Sequence, residues 1–166
     1  MKIKKTFLTF ILTASVVLTG YHTQAQDHDL YEGSIGIRAG VKPGISAKYF
    51  ISDVSAFETL VQFPYNGVQI TQLYETHLQA FQTPRLHWVL GIGAHVGIFD
   101  AGDFEDRDGD VYDKDVTTFG LDALVGLEYT FDQAPFTMAV DVKPFIDLVN
   151  PGADYLHAAF TIRYYW

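Results

Sequence analysis

The 166-residue chain contains no cysteine and few basic residues, with 11 Lys and Arg against 20 Asp and Glu. The lack of cysteine excludes disulfide bonds, thiol nucleophiles, thiolate metal sites and a lipidated N-terminal cysteine. The formal net charge of -9 argues against nucleic acid as a partner, because a phosphate-binding surface needs clustered Lys and Arg. The chain is instead rich in aromatic residues, at 15%, and only 19% charged, which is typical of one folded domain and not of a disordered chain.

No apolar run reaches the roughly 20 residues that a transmembrane helix needs. The run at residues 7–18 is 12 residues long and follows three lysines, and residues 23–25 form a small-x-small cleavage site. This layout predicts a secretory signal peptide over residues 1–25 that is cleaved, and its length argues against the alternative of an uncleaved anchor helix. The remaining residues, 26–166, would form one domain with a net charge of -12, because three basic residues and no acids lie in the signal.

The chain after the signal peptide alternates apolar and polar residues with period two, which is the pattern of a β-strand with two unlike faces. Between Phe119 and Phe131 the odd-numbered residues are apolar, and the even-numbered ones are polar or small apart from Leu124. Eight such segments, separated by turn-forming residues, predict strands at 35–41, 45–51, 57–63, 68–78, 86–98, 119–131, 136–143 and 156–166. Because proline has no N–H for the ladder, we expect a bulge or a strand end at Pro144.

Two features of the polar face favour a barrel with a polar interior and an apolar exterior. The face is rich in glycine, which a crowded interior needs and a solvated surface does not: Gly36, Gly40, Gly91, Gly93, Gly97, Gly120 and Gly126. It also carries nearly balanced charge, as an enclosed lumen requires because an unpaired buried charge is costly. The charged residues are Arg38, Lys48, Lys143 and Arg163 against Glu58, Glu75, Asp122, Glu128 and Asp141.

The outward aromatic residues and the connection lengths agree with this orientation. Eight outward aromatics lie near strand ends on one side of the predicted turns: Tyr49, Phe57, Trp88, Tyr129, Phe131, Phe136, Tyr164 and Trp166. On that side the connections are short, near residues 52–53, 82–85 and 132–135, whereas the opposite side holds the longest, 100–116 and 148–155. Outer-membrane barrels have aromatic girdles, short periplasmic turns and longer external loops, so we place these aromatics at the periplasmic end.

The last strand resembles the C-terminal signal that the outer-membrane assembly machinery reads. Residues 160–166 read Phe-Thr-Ile-Arg-Tyr-Tyr-Trp, with Tyr164 two residues before the terminal Trp166, although Thr161 replaces the usual glycine. Together with the eight alternating segments, residues 34–166 resemble the small eight-stranded outer-membrane β-barrel proteins of the OmpA-barrel and OmpX-like class. The resemblance implies an antiparallel up-and-down transmembrane barrel. Members of this class serve as membrane anchors, adhesion or host-interaction proteins and, in a minority, lipid-modifying enzymes.

The predicted lumen contains the residue types that catalysis would need, but not in a catalytic pattern. Four histidines fall on the polar face: His77, His87, His95 and His157. An eight-stranded barrel is just wide enough to be filled by side chains, so packed lumen residues are a better interpretation than a general base, a metal ligand or a narrow ion path. Ser46 also faces inward without a nucleophile-elbow motif, whereas a lipid-deacylating site would need a Ser/His/acid set at the lipid-facing rim. We therefore predict no catalytic, cofactor-binding or metal-binding residues and no cofactor.

The third external loop, residues 100–115, is the most acidic segment, with eight acids against Arg107 and Lys114. Asp106, Asp108 and Asp110 are typical oxygen ligands for calcium, but they do not match the EF-hand spacing, because Phe104 would occupy its first ligand position. A solvated acidic loop is the preferred interpretation. A weak divalent-cation site that bridges to lipopolysaccharide is the open alternative.

Together these features predict a non-enzymatic barrel in the outer membrane of a Gram-negative bacterium, with a structural or surface-interaction role through its external loops and no wide pore. The expected partners are outer-membrane lipid and lipopolysaccharide, the assembly machinery, and an extracellular ligand or surface. Two alternatives stay open from the sequence: an outer-leaflet lipid-modifying enzyme, and a soluble periplasmic lipocalin-like barrel whose apolar face turns inward to bind a ligand.

Overall fold

A computed structural model describes residues 31–64, 67–100, 115–149 and 155–166 of the chain. These residues form eight antiparallel strands: β1 (Gly33–Gly40), β2 (Gly44–Phe50), β3 (Ser55–Gln62), β4 (Gly67–Gln79), β5 (Leu86–Phe99), β6 (Val116–Thr130), β7 (Phe136–Val149) and β8 (Leu156–Tyr165). Each strand pairs with the next, and β8 pairs with β1 to close the barrel. The predicted eight-stranded up-and-down barrel is confirmed, and each predicted segment overlaps one strand.

Strand β7 departs from the prediction because it continues past Pro144 to Val149. Pro144 is the last β7 residue paired with β8, and the pairing with β6 is interrupted between Asp122–Phe145 and Val125–Val142. The missing proline N–H therefore weakens the ladder locally without ending the strand. The shift in register lies further up, between Phe119 and Gly120 of β6.

The register defines the geometry of the barrel. One outward row follows paired residues once around the wall, through Phe136, Tyr164, Ile35, Ala47, Thr59, Gln72, Ala94, Leu121 and Ile146. The row starts and ends on β7, ten residues apart. One circuit through the eight strands therefore displaces the row by ten residues along β7. With roughly 3.3 Å per residue and about 4.8 Å between strands, this displacement corresponds to strands tilted by about 41° from the barrel axis. Along this row the height above Phe136 rises by about 25 Å to Ile146.

The two faces of every strand lie as the alternation predicts. Large apolar side chains cover the outside, and the polar-face residues are buried inside, where Leu60, Leu73, Val89 and Leu124 form a small apolar cluster among charged neighbours. A lipocalin-like barrel would require the opposite arrangement, with apolar side chains lining a ligand cavity. The residues inside this barrel are instead those of a polar core.

The predicted aromatic girdle lies at the end of the barrel with the short turns. Its rings contact one another across strands: Phe136 and Tyr164 have ring centroids 5.8 Å apart, and Tyr129 and Phe131 are 5.0 Å apart, both edge to face. Tyr74 extends the girdle with its ring 5.7 Å from Phe57. The predicted signal peptide, residues 1–25, lies outside the described residues.

Candidate functional site: the charged lumen

The lumen contains all nine charged residues that the alternation placed there, and each is at most 7% exposed. They form two groups. The lower network, nearer the girdle, consists of Lys48, Glu58, Glu75, Glu128 and Arg163. The upper network consists of Arg38, Asp141, Asp122 and Lys143, joined by His95 and Asp147.

Arg163 is the centre of the lower network. Its guanidinium donates from Nε to the Ser46 hydroxyl at 2.6 Å, from Nη1 to Glu128 at 2.9 Å, and from Nη2 to Glu58. Ser46 in turn donates to Glu58 at 2.5 Å. Ser46 is therefore a lumen hydrogen-bonding residue, far from the lipid-facing surface where a lipid-deacylating nucleophile would be needed.

Lys48 holds the other side of the lower network. Its ammonium lies 2.9 Å from Glu75 and 2.8 Å from Glu128, and it is 3.2 Å from Nε2 of His77. Tyr31, just before β1, turns into the lumen and donates its hydroxyl hydrogen bond to Glu128 at 2.7 Å. Burial, reinforced by the Glu128 carboxylate, raises the pKa of Tyr31 above its usual range.

The upper network links β1 with β7 and β5 with β7. Arg38 donates to both carboxylate oxygens of Asp141, a bidentate pair. His95 reaches Asp122 from Nδ1 and Asp147 from Nε2, both at 2.7 Å, and Lys143 also donates to Asp122. Because carboxylates only accept, both contacts of His95 are hydrogen bonds when the ring carries two protons.

Gly120 makes the His95 arrangement sterically feasible. A side-chain carbon on Gly120 of β6 would lie 2.5 Å from Cε1 of the His95 ring, so only glycine lets the imidazole lie across β6. From there the ring of a β5 residue reaches Asp147 on β7. This use of small residues beneath long ones is the packing that the glycine-rich inner face predicted.

A small cavity lies beside the lower network. A cavity of about 10 Å³, which is room for about one water molecule, lies among the lower network, Val89 and Leu124. At the upper mouth Lys42 donates to Gln69 at 2.9 Å, and its ammonium lies 5.3 Å from the centre of the Phe145 ring. The described lumen is a packed polar core at these levels.

The lumen residues that the sequence missed include Tyr31, Lys42 and Asp147. Tyr31 precedes the first alternating segment, Lys42 lies in the β1–β2 turn, and Asp147 lies beyond Pro144, where the predicted strand stopped. Only Asp147 had a usable signal, because it continues the odd-numbered inward face of β7.

The predicted site residues also include four histidines and the acidic loop. All four histidines lie in the lumen, where each is at most 8% exposed. Among the described residues, no group of three or more His, Cys, Asp or Glu side chains is arranged to hold a metal ion. Of the acidic loop, only Asp100 and Asp115 are described. The candidate calcium ligands Asp106, Asp108 and Asp110 lie outside the described residues.

Fold and lumen define an eight-stranded antiparallel barrel of the transmembrane type, with apolar side chains outside and charged side chains inside. Among solved structures, this fold is similar to the crystal structure of Neisserial surface protein A, with a TM-score of 0.51 and 17% identity over 81% of this chain and 93% of that protein. Comparisons with protein-family models and with curated proteins give no match. Within the described ranges, no helix has the length and apolar character to cross a membrane.

Proposed function

We propose that the protein is inserted in the outer membrane of a Gram-negative bacterium and acts there as a structural or surface-interaction protein through its external loops. The orientation of the barrel wall supports this most directly. Its outer surface consists mainly of large apolar side chains and carries an aromatic girdle at one end, while the charges are paired inside. Such an outer surface is stable against lipid and unfavourable in water.

The external loops are proposed as the interacting part because side chains pack the described part of the lumen. The acidic loop connects β5 with β6 at the end of the barrel opposite the girdle, and it carries a formal charge of -6 over residues 100–115. A concentrated charge of one sign raises the local concentration of oppositely charged ligands and speeds their association. We therefore expect the extracellular ligand or surface to be basic, or to bind through divalent cations.

Cell fractionation combined with gel electrophoresis tests the membrane part of the proposal. We expect the protein in the outer-membrane fraction, with a band that migrates differently before and after boiling because the closed barrel resists detergent. Recovery as a soluble periplasmic protein without a heat-dependent shift would contradict the proposal.

An epitope tag tests the topology. A tag inserted between Asp108 and Gly109 should bind antibody on intact cells. The matched control is the same tag in the 132–135 turn, which should bind only after the outer membrane is opened. The reverse pattern would invert the proposed orientation.

Outer-membrane lipid, lipopolysaccharide and the assembly machinery, which would recognise β8, are the proposed partners within the membrane. The non-catalytic part of the proposal has its own test, since an outer-leaflet enzyme would alter lipid A. Lipid A from a deletion strain should have the same mass spectrum as lipid A from the parent strain. A missing modification that reappears on complementation would identify an enzyme instead.

A further inference from the structure

A polar pair interrupts the apolar outer surface on strands β3 and β4. Thr59 donates a hydrogen bond to the side-chain oxygen of its register partner Gln72 at 2.8 Å, and Gln72 Nε2 donates to the backbone oxygen of Glu58 at 3.2 Å. A glutamine amide has two N–H groups and two acceptor lone pairs. One N–H and one lone pair of Gln72 therefore have no partner within the described part of the chain, and the side chain is exposed.

The register places this pair at half height. The outward row that rises about 25 Å from Phe136 to Ile146 crosses eight strand-to-strand steps, and Thr59 lies at the fourth step and Gln72 at the fifth. The pair is thus about 12 to 16 Å above the girdle residue Phe136. In an inserted barrel this is the middle of the hydrocarbon region, where lipid offers no hydrogen bonds.

Small residues flank the pair along the row. The row neighbours on either side, Ala47 and Ala94, are the smallest residues of the row, which elsewhere carries Ile, Leu, Phe and Tyr side chains. Small residues next to hydrogen-bonding side chains are the combination through which transmembrane helices associate.

We propose that the surface formed by Ala47, Thr59, Gln72 and Ala94 is a membrane-embedded interface with a second copy of this chain. A two-fold axis along the membrane normal keeps every residue at its own height, so the polar pair of one barrel meets the polar pair of the other. The free N–H and lone pair of Gln72 are complementary to themselves, and the surface carries no charge that would repel a copy. The proposal depends on membrane insertion as proposed above.

Cysteine cross-linking of the full-length protein in lipid vesicles tests this interface, because the native chain contains no cysteine. Ala94→Cys keeps the polar pair and should form a disulfide-linked dimer on mild oxidation, even at high lipid-to-protein ratio. Adding Thr59→Val and Gln72→Leu, which preserve size but remove the polar groups, should reduce the cross-linked fraction at least fivefold.

Val140→Cys is the matched control, because Val140 is outward on β7, on the opposite wall and about 10 Å above Phe136. It should cross-link no more than random collision predicts. Equal cross-linking at both positions, insensitivity to the double substitution, or monomers throughout would overturn the interface and mean that lipid alone covers the pair. The boiling-dependent gel shift, measured on the same variants, separates failure of the interface from failure of membrane insertion.

Discussion

Replacing Arg163 with methionine tests whether the lumen behaves as a low-dielectric core held together by ion pairs. The side chain is 2% exposed and donates to Ser46, Glu128 and Glu58. Methionine retains much of the packing, and Glu128 retains Lys48 at 2.8 Å, but Glu58 loses its guanidinium partner. Removing one member of a buried ion pair costs about 3 to 5 kcal/mol. We expect the free energy of unfolding to fall by this amount.

Urea unfolding in lipid vesicles, followed by the fluorescence of Trp88 and Trp166, measures the effect. Arg85→Met is the matched control, since Arg85 pairs with Asp132 at 2.6 Å while their side chains are 31% and 69% exposed. An exposed pair contributes about 0 to 1 kcal/mol.

The double variant Arg163→Met with Glu58→Gln should recover part of the loss, because it removes the unpaired charge as well. If Arg163→Met costs no more than Arg85→Met, or if the double variant is no more stable than the single one, the lumen is hydrated and the ion-pair reasoning is refuted.

Three further variants test other parts of the lumen by the same unfolding assay. His95→Phe removes both carboxylate contacts and leaves Asp147 without this donor, which should cost about 2 to 3 kcal/mol. Gly120→Ala should cost about 1 to 3 kcal/mol, because the added carbon would overlap the His95 ring and a backbone oxygen; Gly91→Ala, with its nearest atom at 3.2 Å, should cost less. Tyr31→Phe should cost about 1 to 2 kcal/mol at neutral pH.

The difference in stability between the native protein and Tyr31→Phe depends on pH because the pKa of the Tyr31 phenol is raised in the folded state. The unfolded phenol ionises near pH 10. The native protein therefore has its full excess in free energy of unfolding over the variant below about pH 10, and this excess shrinks as the pH rises further. A difference that stays constant from neutral pH to about pH 11 would show that Tyr31 is not held protonated.

Equal stabilities for Gly120→Ala and Gly91→Ala would contradict the packing argument at Gly120.

Much of this fold can be predicted from sequence because one repeated physical rule generates it. A strand between lipid and a filled lumen must alternate, so the period-two pattern identified both the strands and the inward residues. An exception arises where neighbouring residues maintain the strand pairing that one residue cannot make. Pro144 was expected to end or deform β7, yet neighbouring residues of β7 still pair with β6 and β8.

The partners within the lumen were not predictable, because alternation gives the face of a residue but not its height or its neighbours across the barrel. The contact between Arg38 and Asp141 depends on β1 and β7 facing each other across β8, which follows from the register of closure. Tyr31 and Lys42 lie outside the alternating segments. They enter the lumen only because the chain turns inward before β1 and between β1 and β2.

The lumen also explains where the negative charge of the protein is concentrated. The upper and lower networks contain six carboxylates, and Arg38, Lys48, Lys143 and Arg163 oppose them. With Lys42 at the mouth and histidines counted as neutral, this set carries -1, so -11 of the -12 carried by residues 26–166 belongs to residues outside the lumen. The acidic loop supplies about half of it, at the end opposite the girdle. Neutralising that loop should therefore change attraction to basic surfaces and its salt dependence while leaving the free energy of unfolding nearly unchanged.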